Sequence, residues 1–382
     1  MAVIRKIEAS ALDSGFSVRW TEFAKACSLT TTVVAITDSD GVVGVGSYDG
    51  FAPGGGDLSV LESIRALAPA ILGRQTDCWA ELAKDLRVGV IFPFLPGAMS
   101  VIDIALWDLA GRQVGQSVSA LLQGTRKQIP AYASTSTMER VEDYVDLVAR
   151  ARADGLHAVK IHAWGDPDRD IALLSKLRET YPDLVLMHDA EGVYSRQDAL
   201  RVARALESLD VRWLEAPLHD FDLEGYRELR RRVSIPILPA GYAIWDSRQY
   251  ADLLCDSPWT SLRSSIGTLG ISGLRRLMRL GAAFGMNLEP VSYGGTLAQS
   301  AALQVMLSGD NCEFFELPYP VKPWERGVHN PIRPDSSGMV SAPEGPGLGV
   351  EIDWKDVEVQ TCHRVVMEES NESPAAFVGF PG

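Results

Sequence analysis

The sequence predicts an α/β protein in which a parallel (β/α)8 barrel carries a separate α+β unit. Three observations predict it. From about residue 128, short β-rich runs alternate with amphipathic stretches of helical period. The runs number eight, which is the number that closes a parallel barrel. The chain of 382 residues also exceeds what one hydrophobic core usually organises, so a second unit is expected beside the barrel.

Taken in order, SLTTTVVAITDSDGVVGVGSYDG alternates β-formers around Asp40-Gly41, as a hairpin does. SVIDIALWDLAGRQVG, residues 100–115, spaces its apolar residues as a helix and ends near a glycine. Residues 1–125 therefore read as the α+β unit. The eight runs IPAYAS, LHAVKIH, LVLMHDA, VRWLEA, IPILPAGY, WTSLRSS, MNLEPVS and CEFFEL place the barrel at residues 126–320. Between them lie helices such as SRQDALRVARALESL, for which Ser195 is an N-cap. Residues 321–382 begin Pro- and Gly-rich and end in a strand-like VEVQTCHRVVM, which is expected to return to the N-terminal unit.

A net charge of −14 argues against nucleic acid or an anionic membrane surface as partner, and favours a small-molecule ligand. The five cysteines are scattered, with no paired spacing, which fits a reducing cytoplasm. The N-terminal residues hold no apolar leader, and no run approaches the roughly 20 apolar residues of a membrane span. A soluble, cytoplasmic protein is expected.

Chemistry in such a barrel gathers at the carboxyl ends of the strands, so the residues closing the runs are the informative ones. Lys160 and His162 are two apart and share a face of one strand. Asp189 and Glu191 close the next, Glu215 the one after, and Glu316 the last. A single charged strand end is more often solvated or ion-paired than catalytic. A converging series is different, because neighbouring carboxylates repel unless a cation, or the Lys160 ammonium, sits among them. The fifth run, in LPAGYAIW (238–245), instead ends at the phenol of Tyr242.

These residues and their order resemble the enolase superfamily, in its mandelate racemase and muconate-lactonizing branch. IDIALWDLAGRQVGQSVSALLQG (102–124) is similar to its cap-helix signature, VKIH (159–162) to its Lys-x-Lys base strand, HDAEG and WLEAP to its first two metal-ligand strands, and GPGLGVEID (345–353) to its C-terminal signature. The resemblance implies a modified barrel under an α+β capping domain. Loops near residues 11–25 and 49–57 are expected to close on the substrate. It further implies removal of the proton α to a carboxylate, with magnesium held by Asp189 and Glu215 stabilising the enediolate, and assembly as a homo-oligomer. Lys160 becomes a base or electrostatic partner.

The sequence departs from this pattern in several places. Gly241-Tyr242 replaces the Gly-Glu pair that supplies the third metal ligand, and a phenol with pKa near 10 is a poor ligand for a hard cation, so magnesium binding is expected to be weak unless Glu191 or substrate oxygens complete the shell. His162 replaces the second lysine and keeps acid–base capacity. Ser264 and Val291 stand where relatives carry an Asp–His dyad on the opposite face. Without it, racemisation loses its second base, and a one-face reaction is expected: dehydration, or an isomerisation or cycloisomerisation of a small hydroxy-carboxylate or acid sugar. Lys160, His162 and Tyr242 are the catalytic candidates; Glu191, Glu289 and Glu316 are the substrate-binding candidates. Glu289 has the competing reading of an ion pair with Arg263. His188 is read as structural, and His219 and Trp245 as residues able to line the pocket. Two alternatives remain: the same chemistry without a metal, and a barrel that binds a ligand without turnover.

Overall fold

A computed structural model of the chain describes residues 2–23, 25–50, 56–76 and 96–369. Strands β1 (Ile4–Val18), β2 (Cys27–Asp38) and β3 (Val43–Gly50) form an antiparallel meander. The expected hairpin is present: Asp38 Oδ1 accepts the Asp40 and Val42 N–H groups at 2.9 and 2.8 Å, and Gly41 turns the chain at φ +81°.

The helix Pro96–Val114 lies on this sheet with most of its residues buried, because it is covered on both sides, by the sheet and by the barrel. Contact with β3 is close enough to need glycine. A Cβ on Gly44 would overlap the Ala105 carbonyl, and one on Gly46 would come within 2.7 Å of the Val101 carbonyl. Asp108 on the same helix accepts the Val45 N–H at 2.8 Å and the Leu348 N–H at 2.6 Å. The segment 345–353 is thus a structural clasp between cap helix and tail. On the barrel side, Asp103 accepts the Ser272 N–H at 2.9 Å.

Eight parallel strands follow, from β4 (Gln128–Ser134) through β5 (Ala158–His162), β6 (Val185–Asp189), β7 (Leu214–Glu215), β8 (Ile237–Leu238), β9 (Leu262–Ser265) and β10 (Leu288–Val291) to β11 (Phe315–Pro318). Ladders run β11-β4-β5-β6-β7-β8 and β9-β10. A short β12 (Met339–Ser341) adds antiparallel to β4. Between strands, apolar stripes bury the helices, and polar caps start them: Ser195 accepts the Asp198 N–H at 3.1 Å. Tyr132, Ala158, Met187, Trp213 and Leu238 fill the barrel as an apolar cluster, with Tyr132 and Trp213 edge to face at 5.7 Å.

Two expectations need correction. The tail VEVQTCHRVVM is not strand throughout. Asp353 accepts the Lys355 and Asp356 N–H groups at 3.1 and 3.0 Å and starts a helix, Trp354–Gln360, before β13 (Thr361–Glu368) pairs antiparallel with β1. The loop expected over 11–25 is strand as far as Val18, with a register break between Asp13 and Ser17 where Gly15 takes φ +61°. Of the second expected loop, residues 51–55 lie outside the described residues; Asp49 and Gly50 end β3, and Gly56 and Asp57 open the helix Gly56–Leu67. Among the described residues, no helix is long and apolar enough to cross a membrane.

Candidate active site

Parallel register brings the informative strand ends side by side. Ser134 is level with Lys160, His162 with Asp189, and Asp189 with Glu215. Their side chains face the barrel axis because Lys160 and His162 occupy alternate positions of β5. Lys160, His162, Asp189, Glu191, Glu215, Tyr242 and Glu316 all line one cavity of about 130 Å³. Seven of the eight sequence-derived candidates therefore meet. Arg263, Val291, Tyr293, Ala240 and, from the cap, Trp20 complete the wall.

Lys160 is the centre of the site. Its ammonium lies 3.0 Å from Asp189 Oδ2, 2.9 Å from Glu215 Oε1 and 2.8 Å from Glu316 Oε1. The Tyr132 ring sits 5.7 Å beneath it. Burial and the nearby Arg263 charge work against the ammonium, yet Glu215 and Glu316 outweigh them and keep Lys160 protonated well above its usual range. The three carboxylates around it favour the ammonium form.

His162 Nε2 lies 3.1 Å from both Asp189 Oδ2 and Glu191 Oε1. Burial lowers its pKa, but the Asp189 carboxylate and the hydrogen bonds raise it further, to about 9. Glu191 reaches His162 from a left-handed backbone, φ +54°, with its N–H donated to Asp189 Oδ1 at 3.1 Å.

Arg263 was not among the sequence-derived site residues. It is fully buried, with Nε 2.6 Å from Glu215 Oε1 and Nη2 2.8 Å from Glu316 Oε2. Glu316 also accepts the Ser134 hydroxyl at 2.9 Å. Against the burial penalty, Arg263 and Lys160 hold Glu316 ionised, with its pKa down to about 2. Asp189 is held well below its usual range by Lys160 and His162, again against burial. Glu215 moves the other way: burial, opposed by Arg263 and reinforced by Asp189, pushes it well up.

The fifth strand ends as the glycine dictates. Gly241 has φ +86°, and a Cβ there would come within 2.8 Å of the Arg263 backbone. The Asp220 carboxylate collects the N–H groups of Ala240, Gly241, Tyr242 and Ala243 at 2.8 to 3.4 Å. This fixes the turn that presents Tyr242, whose phenol is raised above its usual range by desolvation and by Glu316 and Glu191.

Glu289 does not join the cavity. Its carboxylate accepts the Glu313 N–H at 3.1 Å and the Phe314 N–H at 3.4 Å, at the turn entering β11, and burial lifts its pKa to about 8. The alternative pairing with Arg263 is not made by the side chain either; Arg263 Nη1 donates to the Glu289 backbone carbonyl at 3.3 Å. His219 and Trp245 do not line the cavity; the Trp245 indole donates to the Tyr242 carbonyl at 2.9 Å. His188 is structural as expected, bonded to the Ile161 carbonyl and to Tyr194, which in turn donates to Asp170.

This constellation on an α+β-capped barrel can be set against known proteins. The family described as mandelate racemase/muconate lactonizing enzyme, N-terminal domain, matches residues 17–123, and that described as enolase C-terminal domain-like matches residues 143–357. The chain belongs to the mandelate racemase/muconate lactonizing group of the enolase superfamily. It is 30% identical over 346 residues to a D-galactarolactone cycloisomerase of Agrobacterium fabrum, covering 84% of this chain and 88% of the relative. A crystal structure of a mandelate racemase/muconate lactonizing protein from Pseudovibrio sp. superposes with a TM-score of 0.92 at 31% identity, over 96% of this chain and 100% of the other. The structure of D-glucarate dehydratase from Agrobacterium tumefaciens complexed with magnesium superposes with a TM-score of 0.81 at 25% identity, over 94% and 99%.

Magnesium is thus found in an enolase superfamily relative, but the residues here do not form its shell. Of the four oxygens of Asp189 and Glu215, only Glu215 Oε2 has no partner. Asp189 Oδ1 takes the Glu191 N–H, Asp189 Oδ2 takes Lys160 and His162, and Glu215 Oε1 lies against Lys160 and Arg263. A magnesium ion asks for about six oxygens in near-octahedral array. His162, Asp189 and Glu191 offer ligand atoms within 4.8 Å of one another, but His162 Nε2 already lies 3.1 Å from both Asp189 Oδ2 and Glu191 Oε1.

Proposed function

We propose that this enolase superfamily member removes the α-proton of a small hydroxy-carboxylate of the acid-sugar class and completes a one-face reaction, either loss of water or a ring-forming isomerisation. The observation that carries the reading is the shared cavity in which the Lys160 ammonium and the His162 imidazole, two residues apart on β5, stand over three carboxylates. The relatives support both outcomes, one being a cycloisomerase and one a dehydratase of acid sugars.

His162, in its neutral form, takes the α-proton with Nε2, and Asp189 and Glu191 stabilise the imidazolium that results. Lys160 is already cationic and pairs with the negative charge that grows on the substrate carboxylate. Tyr242 gives a proton to the departing or rearranging oxygen. In dehydration, the α C–H bond breaks to His162, its electron pair forms the C=C bond of an enol, and the β C–O bond breaks as water leaves with the donated proton. β10 contributes Val291, an apolar side chain, to the cavity wall. Among the described residues, β10 offers no second base of the kind that racemisation requires there. The magnesium expected at Asp189 and Glu215 has no part in this scheme, because three of their four oxygens are engaged by Lys160, His162, Arg263 and the Glu191 N–H.

The test is solvent exchange. The protein is incubated in D₂O with hexarates, hexonates and their lactones, and deuterium at the α-carbon and loss of substrate are followed by proton NMR. Exchange or turnover is expected with at least one acid sugar, and His162→Asn should lower it by at least a thousandfold. Undiminished exchange in that variant, or none in the native protein across the panel, refutes the proposal.

A further inference from the structure

We infer that Arg263, together with Lys160, supplies from the protein itself the fixed positive charge that a divalent ion supplies in magnesium-bound relatives. The inference rests on the reaction proposed above for its purpose, but its evidence is the composition of the site. Two features occur together. Just beyond β8 a phenol, Tyr242, stands where the resemblance implies a carboxylate ligand, so one negative charge is missing there. On β9 the Arg263 guanidinium places a positive charge beside Glu215, one of the two remaining ligand positions. The site thereby moves from binding a dication to containing its own cations.

The guanidinium is fixed by its surroundings. Arg263 Nη2 donates to Glu316 and Nη1 to the Glu289 carbonyl, while Nε lies 2.6 Å from Glu215 Oε1 as an ion pair without hydrogen-bond geometry. Its side chain is 2% exposed, and the Tyr132, Met187 and Trp213 cluster below excludes water. In such surroundings charges act on one another more strongly than in solvent.

A dication placed against Asp189 and Glu215 meets two cations at the same oxygens. Lys160 lies 2.9 Å and Arg263 2.6 Å from Glu215 Oε1. Lysine alone does not exclude an ion, because its stem is flexible and its ammonium can turn to a substrate carboxylate. Arg263 has no such freedom. It is the residue expected to decide the matter, and it acts as a charge-supplying residue at the cavity wall.

The experiment is metal binding by isothermal calorimetry and by thermal shift, using chelator-treated full-length protein, magnesium chloride and manganese chloride up to 10 mM, and sodium chloride controls of matched ionic strength. The native protein is expected to show no saturable heat and no melting shift beyond the control. The double variant Tyr242→Glu, Arg263→Gln is expected to bind with a dissociation constant at least tenfold tighter, and Arg263→Lys with Tyr242→Glu to gain less. One-to-one binding to the native protein below 1 mM, lost in Asp189→Asn, overturns the inference even if the double variant fails to fold. Binding is blind to turnover, so its outcome is separable from that of the α-exchange experiment.

Discussion

Lys160 Nζ and Glu215 Oε1 are 2.9 Å apart, and the same oxygen lies 2.6 Å from Arg263 Nε. One buried carboxylate thus serves two buried cations. Glu316, held ionised, serves the same two cations at 2.8 Å each, and breaking a buried pair from one side costs about 3–5 kcal/mol. Glu316→Gln is expected to lower stability by about 3 kcal/mol in urea denaturation. The comparison is Glu191→Gln, whose side chain is 34% exposed and whose loss should cost no more than about 1 kcal/mol. Equal midpoints for the two variants contradict the ion-pair account.

His162 gives a pH signature with a definite sign. Its folded pKa, about 9, lies above the ordinary 6.5, so the imidazolium stabilises the folded state. That contribution is complete below about pH 6.5 and fades as pH rises through 9. The stability difference between the native protein and His162→Asn should therefore shrink between pH 6.5 and 9. As the base, His162 must be neutral, so kcat/KM should rise about tenfold per pH unit up to about 9 and then level off. A profile flat from pH 6 to 9 rules out His162 as the base.

Much of this site was legible in the sequence, and the physical reason is alternation. Strand ends show which side chains point inward, so Lys160 with His162, then Asp189, Glu215 and Glu316, were readable from runs of five to seven residues. Arg263 was not. It lies inside β9 at register with Glu289, which suggested a pair, and sequence does not show that the arginine turns toward Glu316 while the Glu289 carboxylate turns toward the Glu313 N–H. The one available signal was an arginine in a short strand of a buried sheet, where an unpaired charge is untenable. Trp20 and Tyr293, 6.1 Å apart edge to face, come from the cap and from beyond β10. No local pattern predicts a contact over that separation in sequence.

Tyr242 is half exposed and faces Glu316 and Glu191, with its phenol protonated. Tyr242→Phe keeps the ring and removes the proton. A positioned acid contributes roughly 10²–10⁴-fold, so kcat should fall by about a hundredfold or more with KM little changed. A change confined to KM assigns the hydroxyl to substrate binding alone.

Glu289 provides the control. Its carboxyl serves the turn at Glu313 and Phe314, away from the cavity. Glu289→Gln keeps an acceptor there and removes a buried group with pKa about 8. Because that pKa lies above the ordinary carboxyl value, the native side chain loses stabilising effect as pH rises from about 4.5 through 8. The variant should accordingly be at least as stable as the native protein at pH 9, with kcat/KM within twofold. A tenfold loss of kcat/KM returns Glu289 to the site.

Asp220 tests whether the Tyr242 turn is held from outside the cavity. Its carboxylate gathers four consecutive backbone N–H groups, Ala240 to Ala243, and does not itself line the cavity. Charge-assisted bonds of this kind contribute about 1.5–3 kcal/mol each when buried, and less here because the turn is partly solvated. Asp220→Ala should free the turn without unfolding the barrel, whose strands do not depend on it. Limited proteolysis within residues 240–245 should quicken, while the global unfolding midpoint moves little. Since a displaced phenol no longer meets the substrate oxygen, kcat should drop toward that of Tyr242→Phe. The double variant should be no worse than Tyr242→Phe alone, because both substitutions remove the same proton donor. Additive losses in the double variant would show that Asp220 acts on catalysis by a separate route.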